Sequence, residues 1–273
     1  MFQPPMDDMP NAAWAWEGLR RNPAYRRAWN CRPRTGICKI DLASGTTLIR
    51  ARRRYLDAEK FGIILFANPD ISASESTIFW CPDVLAGTLP VKMNPSQGRQ
   101  FREKRAASPT LIDLRNFNMG KFIFETATGE RHVKIQSGKV WLQLVCHAPR
   151  GVGDNVDIGI YINKTHRMAR RLDTALQLLS IYRSDDRSSV LIGRKRNRRA
   201  MAQGLTAYDI WHGFNGPKGG LQDIAKAIYS ADQVESDWKG PSRYMKEVAV
   251  RARHRGERFV ASGYLDLLRK KAI

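Results

Sequence analysis

Acidic residues are scarce in this chain of 273 residues: 26 Asp and Glu stand against 46 Lys and Arg, a net charge of +20 with a pI near 10.2. That imbalance points away from cationic partners and toward polyanions. Cysteine is scarcer still. Cys31, Cys38, Cys81 and Cys146 are too few and too scattered for a disulfide framework. Cys31 and Cys38 have six residues between them, wider than zinc pairs use, and no matching pair follows. Cys146 and His147 are adjacent, so on a strand they point to opposite faces. The five histidines, at 132, 147, 166, 212 and 254, show no ligand spacing. No phosphate-cradling glycine loop, Ser-His-Asp order or paired carboxylates stand out, so no enzyme, metal or cofactor is expected. No apolar run approaches the ~18–20 residues of a membrane span; the longest, 61–67, has the size of a strand or a short helix. No secretory signal opens the chain. The expected location is cytoplasmic, in association with the nucleoid.

What is present divides the chain into three parts, expected at 1–91, 92–163 and 164–273. Apolar content of 42% is ordinary for a folded core. Residues 13–29 read as a helix or helical pair broken near Pro23. Trp14, Trp16 and Trp29 there are anchors, either on a core or on a protein partner. Residues 93–110 read as a basic connector. The middle is β: strand-like runs at 110–115, 121–126, 131–137, 139–147 and 156–162 are punctuated by glycine turns, which predicts an antiparallel meander. Beyond 165 the apolar period becomes helical. The expected class is α+β: an N-terminal helix and antiparallel β meander, then an all-α C-terminal domain with a helix-turn-helix-like pair. The part from residue 163 onward carries +12 in 111 residues, the first 162 carry +8.

That pair lies in 219–256. Leu221, Ile224, Ala225 and Ile228 recur at i, i+3, i+4 and i+7, one buried stripe. Gly219 and Gly220 precede them, leaving the N-terminal amides around Gln222 open to a phosphate. A second helix is expected to start at Pro241-Ser242 and stop at Gly256. Its stripe is Met245, Val248, Ala249 and Ala252; its outer face is basic. In a helix-turn-helix the first turn of the second helix meets base edges, which singles out Ser242, Arg243, Lys246 and Glu247. Arg251, Arg253 and Arg255 would then take phosphates, with Arg194, Lys195, Arg196, Arg198 and Arg199 as a further phosphate-contacting arm. The competing reading is a solvated basic face. The connection from 230 to 240 exceeds the ~3–4 residues of an ordinary turn and carries Asp232, Glu235 and Asp237. Either a short helix over 232–238 fills it, or the pair docks differently.

Several stretches resemble a known family. Ile224-Ala225, Trp238, the arginine-bearing second helix and the closing Gly263-Tyr264-Leu265-Asp266-Leu267-Leu268 resemble the RovC-like DNA-binding domain of proteobacterial transcriptional regulators, often carried on integrative and conjugative elements. Trp16-Glu17-Gly18-Leu19-Arg20-Arg21-Asn22-Pro23-Ala24-Tyr25 is similar to the short transcriptional regulator-like motif fused to it. Phe61-Gly62, Asn68-Pro69-Asp70 and Phe79-Trp80-Cys81-Pro82 are similar to that motif's continuation. Two departures are Ile228-Tyr229-Ser230, where the family has Leu-Phe-Gly, and Ser262-Gly263, where paired glycines are usual. The resemblance implies a homo-oligomeric regulator of double-stranded DNA without catalytic activity. The alternative is a co-activator or anti-activator that holds another transcription factor or RNA polymerase through the Trp-rich helix and the β meander.

Overall fold

The computed structural model describes residues 9–95, 112–113, 117, 119–137, 140–147, 156–160, 167–183, 198–214 and 216–269. It opens with α1 (Asn11–Leu19) and α2 (Pro23–Cys31). Proline sits at the first position of α2, and the Asn22 side chain accepts from the amides of Ala24 and Tyr25. Proline at this site restarts a helix rather than breaking one, because its missing N–H is an orphan there anyway.

Among the described residues eight strands form one sheet: β1 (Ile37–Asp41), β2 (Thr46–Ala51), β3 (Leu89–Pro95), β4 (Ile112–Asp113), β5 (Gly120–Glu125), β6 (Glu130–Ser137), β7 (Val140–His147) and β8 (Val156–Ile160). Their order is β1-β2-β5-β6-β7-β3-β8-β4. The expected meander exists as β5-β6-β7. It is embedded in a mixed sheet, because β2 lies parallel to β5 and β3 parallel to β7. The strands from 37–51 thus share a sheet with the middle of the chain, and the expected boundary at 91/92 falls inside β3. Along β6, Val133 and Ile135 face one side while Lys134 and Gln136 face the other, the period of two that a sheet imposes. The first side lies under α4 (Met168–Arg183) through Ala175 and Leu178.

The second side receives α1, α2 and the stretch 61–86, which is mostly irregular apart from the short α3 (Leu56–Glu59) before it. Buried backbone outside regular elements needs side-chain partners. The sheet supplies them: Gln143 pairs with both N and O of Trp80, Gln136 donates to Ala73 O, and buried Lys134 donates to Ser76 O at 3.0 Å. Burial pulls the Lys134 ammonium well below its ordinary value; its Nζ lies 3.6 Å from the Trp141 ring centroid. Trp16 Nε1 donates to Ile71 O, and the Tyr25 hydroxyl donates to Ala67 O and accepts from its amide.

The C-terminal helices are α5 (Arg198–His212), α6 (Leu221–Ile228), α7 (Ala231–Asp237) and α8 (Tyr244–Arg258). The rod of α8 does not stop at Gly256. It runs on through a π-helical turn (Phe259–Gly263) into α9 (Tyr264–Arg269). Glycine at 256 has another purpose: a Cβ there would lie 2.1 Å from Gly204 O, so α5 and α8 cross backbone on backbone. Around that crossing Ala207, Ile224, Ala225, Val234, Ala249 and Ala252 form a small core.

A buried ionic chain ties these helices to α1. Arg21 reaches Asp209 of α5 in a bidentate pair at 2.7 and 2.8 Å and donates to Glu17 Oε2 at 2.6 Å. Arg20 donates to the same Glu17 oxygen, and Glu17 Oε1 accepts from Ala73 N. Burial pushes the Glu17 carboxyl up, but Arg21 and Arg20 outweigh it and hold it below its ordinary 4.5. A depressed carboxylate stabilises the fold above the unfolded-state pKa and loses that contribution as the pH falls.

Unfolding midpoints in urea are therefore expected to drop as the pH falls below 4.5, the ordinary Glu17 value, and Glu17→Gln should flatten that dependence. Asp209→Ala strands a buried guanidinium and should cost about 3–5 kcal/mol. Gly256→Ala should cost about 3 kcal/mol by overpacking the crossing, read from the same denaturation curves.

Candidate nucleic-acid interface

The surface of interest is built on the α5–α6–α8 core. The long connection resolves into α7: Ser230 Oγ accepts from Gln233 N, Val234 is buried, and Trp238 closes the helix against the core. Lys226 of α6 pairs with Glu235 of α7 at 3.1 Å. The connector's acids thus hold α7 to α6 or sit on its exposed side. A shallow cavity of ≈ 390 Å³ opens between Ser236, Asp237, Pro241, Ser242 and Tyr244, beside the start of α8.

The helix begins two residues later than its sequence signals suggest, with Arg243 as its N-cap. Ser242 precedes it and accepts from Tyr244 N at 3.3 Å. Ser242, Arg243, Lys246 and Glu247 are all exposed. Lys246 Nζ lies 5.5 Å from the Trp238 ring centroid, and Glu247 stands 3.9 Å from Arg251 on the next turn. Arg251 is exposed and points outward with His254. The first turn also presents Tyr244, 60% exposed, whose hydroxyl is hydrogen-bonded to that of Tyr229 at the end of α6. Burial, and then that bond, raises the Tyr229 hydroxyl, while nearby Arg251 lowers it. Tyr244 was missed in the sequence because it falls on the flank of the wheel; its spacing of seven from Arg251 is the signal that places both on one side.

Other candidates take structural places. At the start of α6, Asp223 Oδ2 accepts from Gly220 N at 2.7 Å. Gln222 is exposed beside it, but a carboxylate already caps this helix end, which disfavours a phosphate there. The Arg253 guanidinium lies 4.5 Å from the Trp211 ring centroid and near Glu257, wedged between α5 and α8. Arg255 donates to Ala200 O of α5. Arg198 is buried and donates to Met9 O, whereas Arg199 is exposed. Arg194, Lys195 and Arg196 lie outside the described residues, as does the expected basic connector 93–110 beyond Pro95; its first three residues end β3 and are not loop.

Trp14 and Trp16 are 1% and 0% exposed, so of the two alternatives for these anchors they take the core one; Trp29 is half-buried with Arg32 stacked on its ring. All four cysteines are free, and burial pushes the Cys81 and Cys146 thiols up to about 12, which keeps them protonated. Among the described residues no three His, Cys, Asp or Glu side chains are arranged to hold a metal ion, and no helix is long and apolar enough to cross a membrane.

Residues 3–48 match the family model described as the proteobacterial transcriptional regulator-like domain. The match covers α1, α2, β1 and the start of β2, and includes the Glu17–Arg21 half of the buried chain. A comparison with curated proteins found none that matches.

The placement of Arg253 has a testable consequence. Arg253→Gln is expected to lower stability by about 1 kcal/mol through the lost Trp211 contact. A thermal melt unchanged from the parent would show the contact to be idle.

Proposed function

We propose that the chain is a transcriptional regulator that binds duplex DNA through its helical part, 164–273, with α8 entering the major groove. The observation that carries this is the first turn of α8. Arg243, Lys246 and Glu247 stand exposed on a helix whose inner face is locked by small residues against α5 and α6, a rigid mount for groups that read base edges. The match of 3–48 to a transcriptional regulator-like domain supports the same reading, as does the resemblance of the C-terminal half to the RovC-like DNA-binding domain. In this reading Arg243 and Lys246 select sequence, with Ser242 and Glu247 beside them. Arg251 and Arg199 contact phosphates, and Tyr244 packs against the backbone or a base. A homo-oligomer would repeat the surface on a palindromic or tandem site. The rival reading, a co-regulator that holds a protein partner through the Trp-rich helix and the β meander, loses the support of Trp14 and Trp16, which are core residues.

Mapping bound DNA across the genome would supply the site, and titration of that duplex would test the roles. Arg243→Ala or Lys246→Ala should change discrimination among single-base variants by about 1–3 kcal/mol. Arg251→Gln should weaken all sequences alike and lower the slope of log K against log salt by about one. No binding of any duplex at low salt by the full chain would refute the reading.

A further inference from the structure

The first 162 residues carry +8, and all of it sits in residues 26–54: eight arginines and one lysine against a single acid, Asp41. The rest of that half is neutral on balance. The fold gathers part of this charge at one end of the β1–β2 ribbon. The segment after α2 turns at Gly36, whose carbonyl accepts from Arg52 N at 2.8 Å. Arg53 donates to Thr35 O at 3.0 Å, and its side chain passes within 3.5 Å of where a Gly36 side chain would begin. The β1–β2 pairing sets Ile37 opposite Ala51 and so brings Arg34 and Arg52 to the same end of the ribbon. Arg34, Arg52 and Arg53 are exposed, and none forms an ion pair with a described acidic side chain. Four others of the segment are committed elsewhere: Arg26 pairs with Asp70 and Arg50 with Glu125, Arg32 lies on Trp29, and Arg54 is held bidentate by Glu59 at 2.6 Å; the Arg53 guanidinium lies 5.7 Å from the Tyr55 ring centroid. Partial burial and then the charge of Arg34 lower the Arg32 guanidinium.

We propose that this arginine cluster at the base of the β1–β2 ribbon is a second nucleic-acid contact, taking the phosphate backbone of duplex DNA without reading sequence. The proposal rests on the reading of the chain as a DNA binder, but uses a surface separate from α8. Like charges held side by side repel; a polyanion neutralises them, and its condensed counterions are released to solution as it binds. Guanidinium forks fit phosphate oxygens two at a time, which an ammonium does not. Duplex DNA offers a continuous row of phosphates to a cluster of guanidinium groups that hold no acid of their own, one negative charge for about every 1.7 Å of helix axis.

The test is titration of the full chain with duplex DNA over a range of salt. The triple variant Arg34→Gln/Arg52→Gln/Arg53→Gln should lower the salt slope by about two to three and weaken binding roughly tenfold or more near 0.1 M salt, with the preferred site unchanged. The matching Lys triple guards against a folding defect: it should keep most of the slope. If the Gln triple binds like the parent while Arg243→Ala/Lys246→Ala binds poorly, the second contact is overturned and the α8 reading stands. If the Gln triple loses binding and the α8 variant does not, the α8 reading falls and the arginine contact stands. No duplex binding by the parent overturns both. Loss of polyglutamate binding by the Gln triple with unchanged duplex binding overturns it in favour of an acidic protein partner.

Discussion

The buried pair between Arg21 and Asp209 is the constraint on which the arrangement of this molecule depends. Arg21 is 2% exposed, and a guanidinium removed from water to that extent is tolerated only with every strong partner in place. Two carboxylates, Glu17 and Asp209, and one backbone oxygen, Glu17 O, surround it. Because Asp209 belongs to α5 and Glu17 to α1, satisfying one charge fixes the distance and angle between the N-terminal helix pair and the C-terminal helices. Asn22 adds a bond to Val260 O, and Tyr208 donates to Arg21 O. Gly18 completes the contact, since a side chain there would run into the Phe259 ring. A polar contact of this kind penalises any register in which a partner is lost.

The same economy of partners explains the irregular stretch between α3 and β3. It lies in the interior with no ladder of its own, and its backbone is served by long polar side chains standing on the sheet and by Trp16, Glu17 and Tyr25. The motif Trp16–Tyr25 therefore works as an assembly device. Trp16, Glu17 and Tyr25 each fasten backbone that would otherwise be stranded, Arg21 reaches across to Asp209 of α5, and Arg20 and Arg21, with Arg26 just beyond the motif, surround the ring of Phe214.

Much of this was legible in the sequence, and the misses have physical causes. The α6 stripe and the β5–β7 runs follow from periodicity alone, and of the two alternatives that the long connector left open the short helix is the one present. The parallel pairings did not, because they join strands distant in sequence and leave no local trace. The β1 strand escaped notice since all five of its residues are exposed and its pattern does not alternate. Gly256 looked like a helix stop because glycine usually marks one; here it answers to Gly204, fifty-two residues away. Arg253 and Arg255, expected from the sequence to contact phosphate, lie half-buried against α5, because a long side chain at a helix margin folds back onto the neighbouring helix when an indole ring or a carbonyl is within reach. Asp223 illustrates the same limit at the start of α6, where a cap three residues on fills the place a ligand would need.

The π-helical turn at Phe259–Gly263 carries a geometrical meaning of its own. Residues spaced by four, such as Ala252, Gly256, Val260, Tyr264 and Leu268, drift around a regular α-helix by about 40° per step. Over sixteen residues the ends of that series would face nearly opposite ways, yet all five are buried. One extra residue in the π turn rotates the chain back by about 100° and brings Tyr264 and Leu268 into line with the stripe of α8. The turn therefore acts as a phase adjuster. Its residue count determines which side of α8 looks outward once α9 is seated against α1, so the bearing of Arg243 and Lys246 is set some fifteen residues away, where neither has a contact.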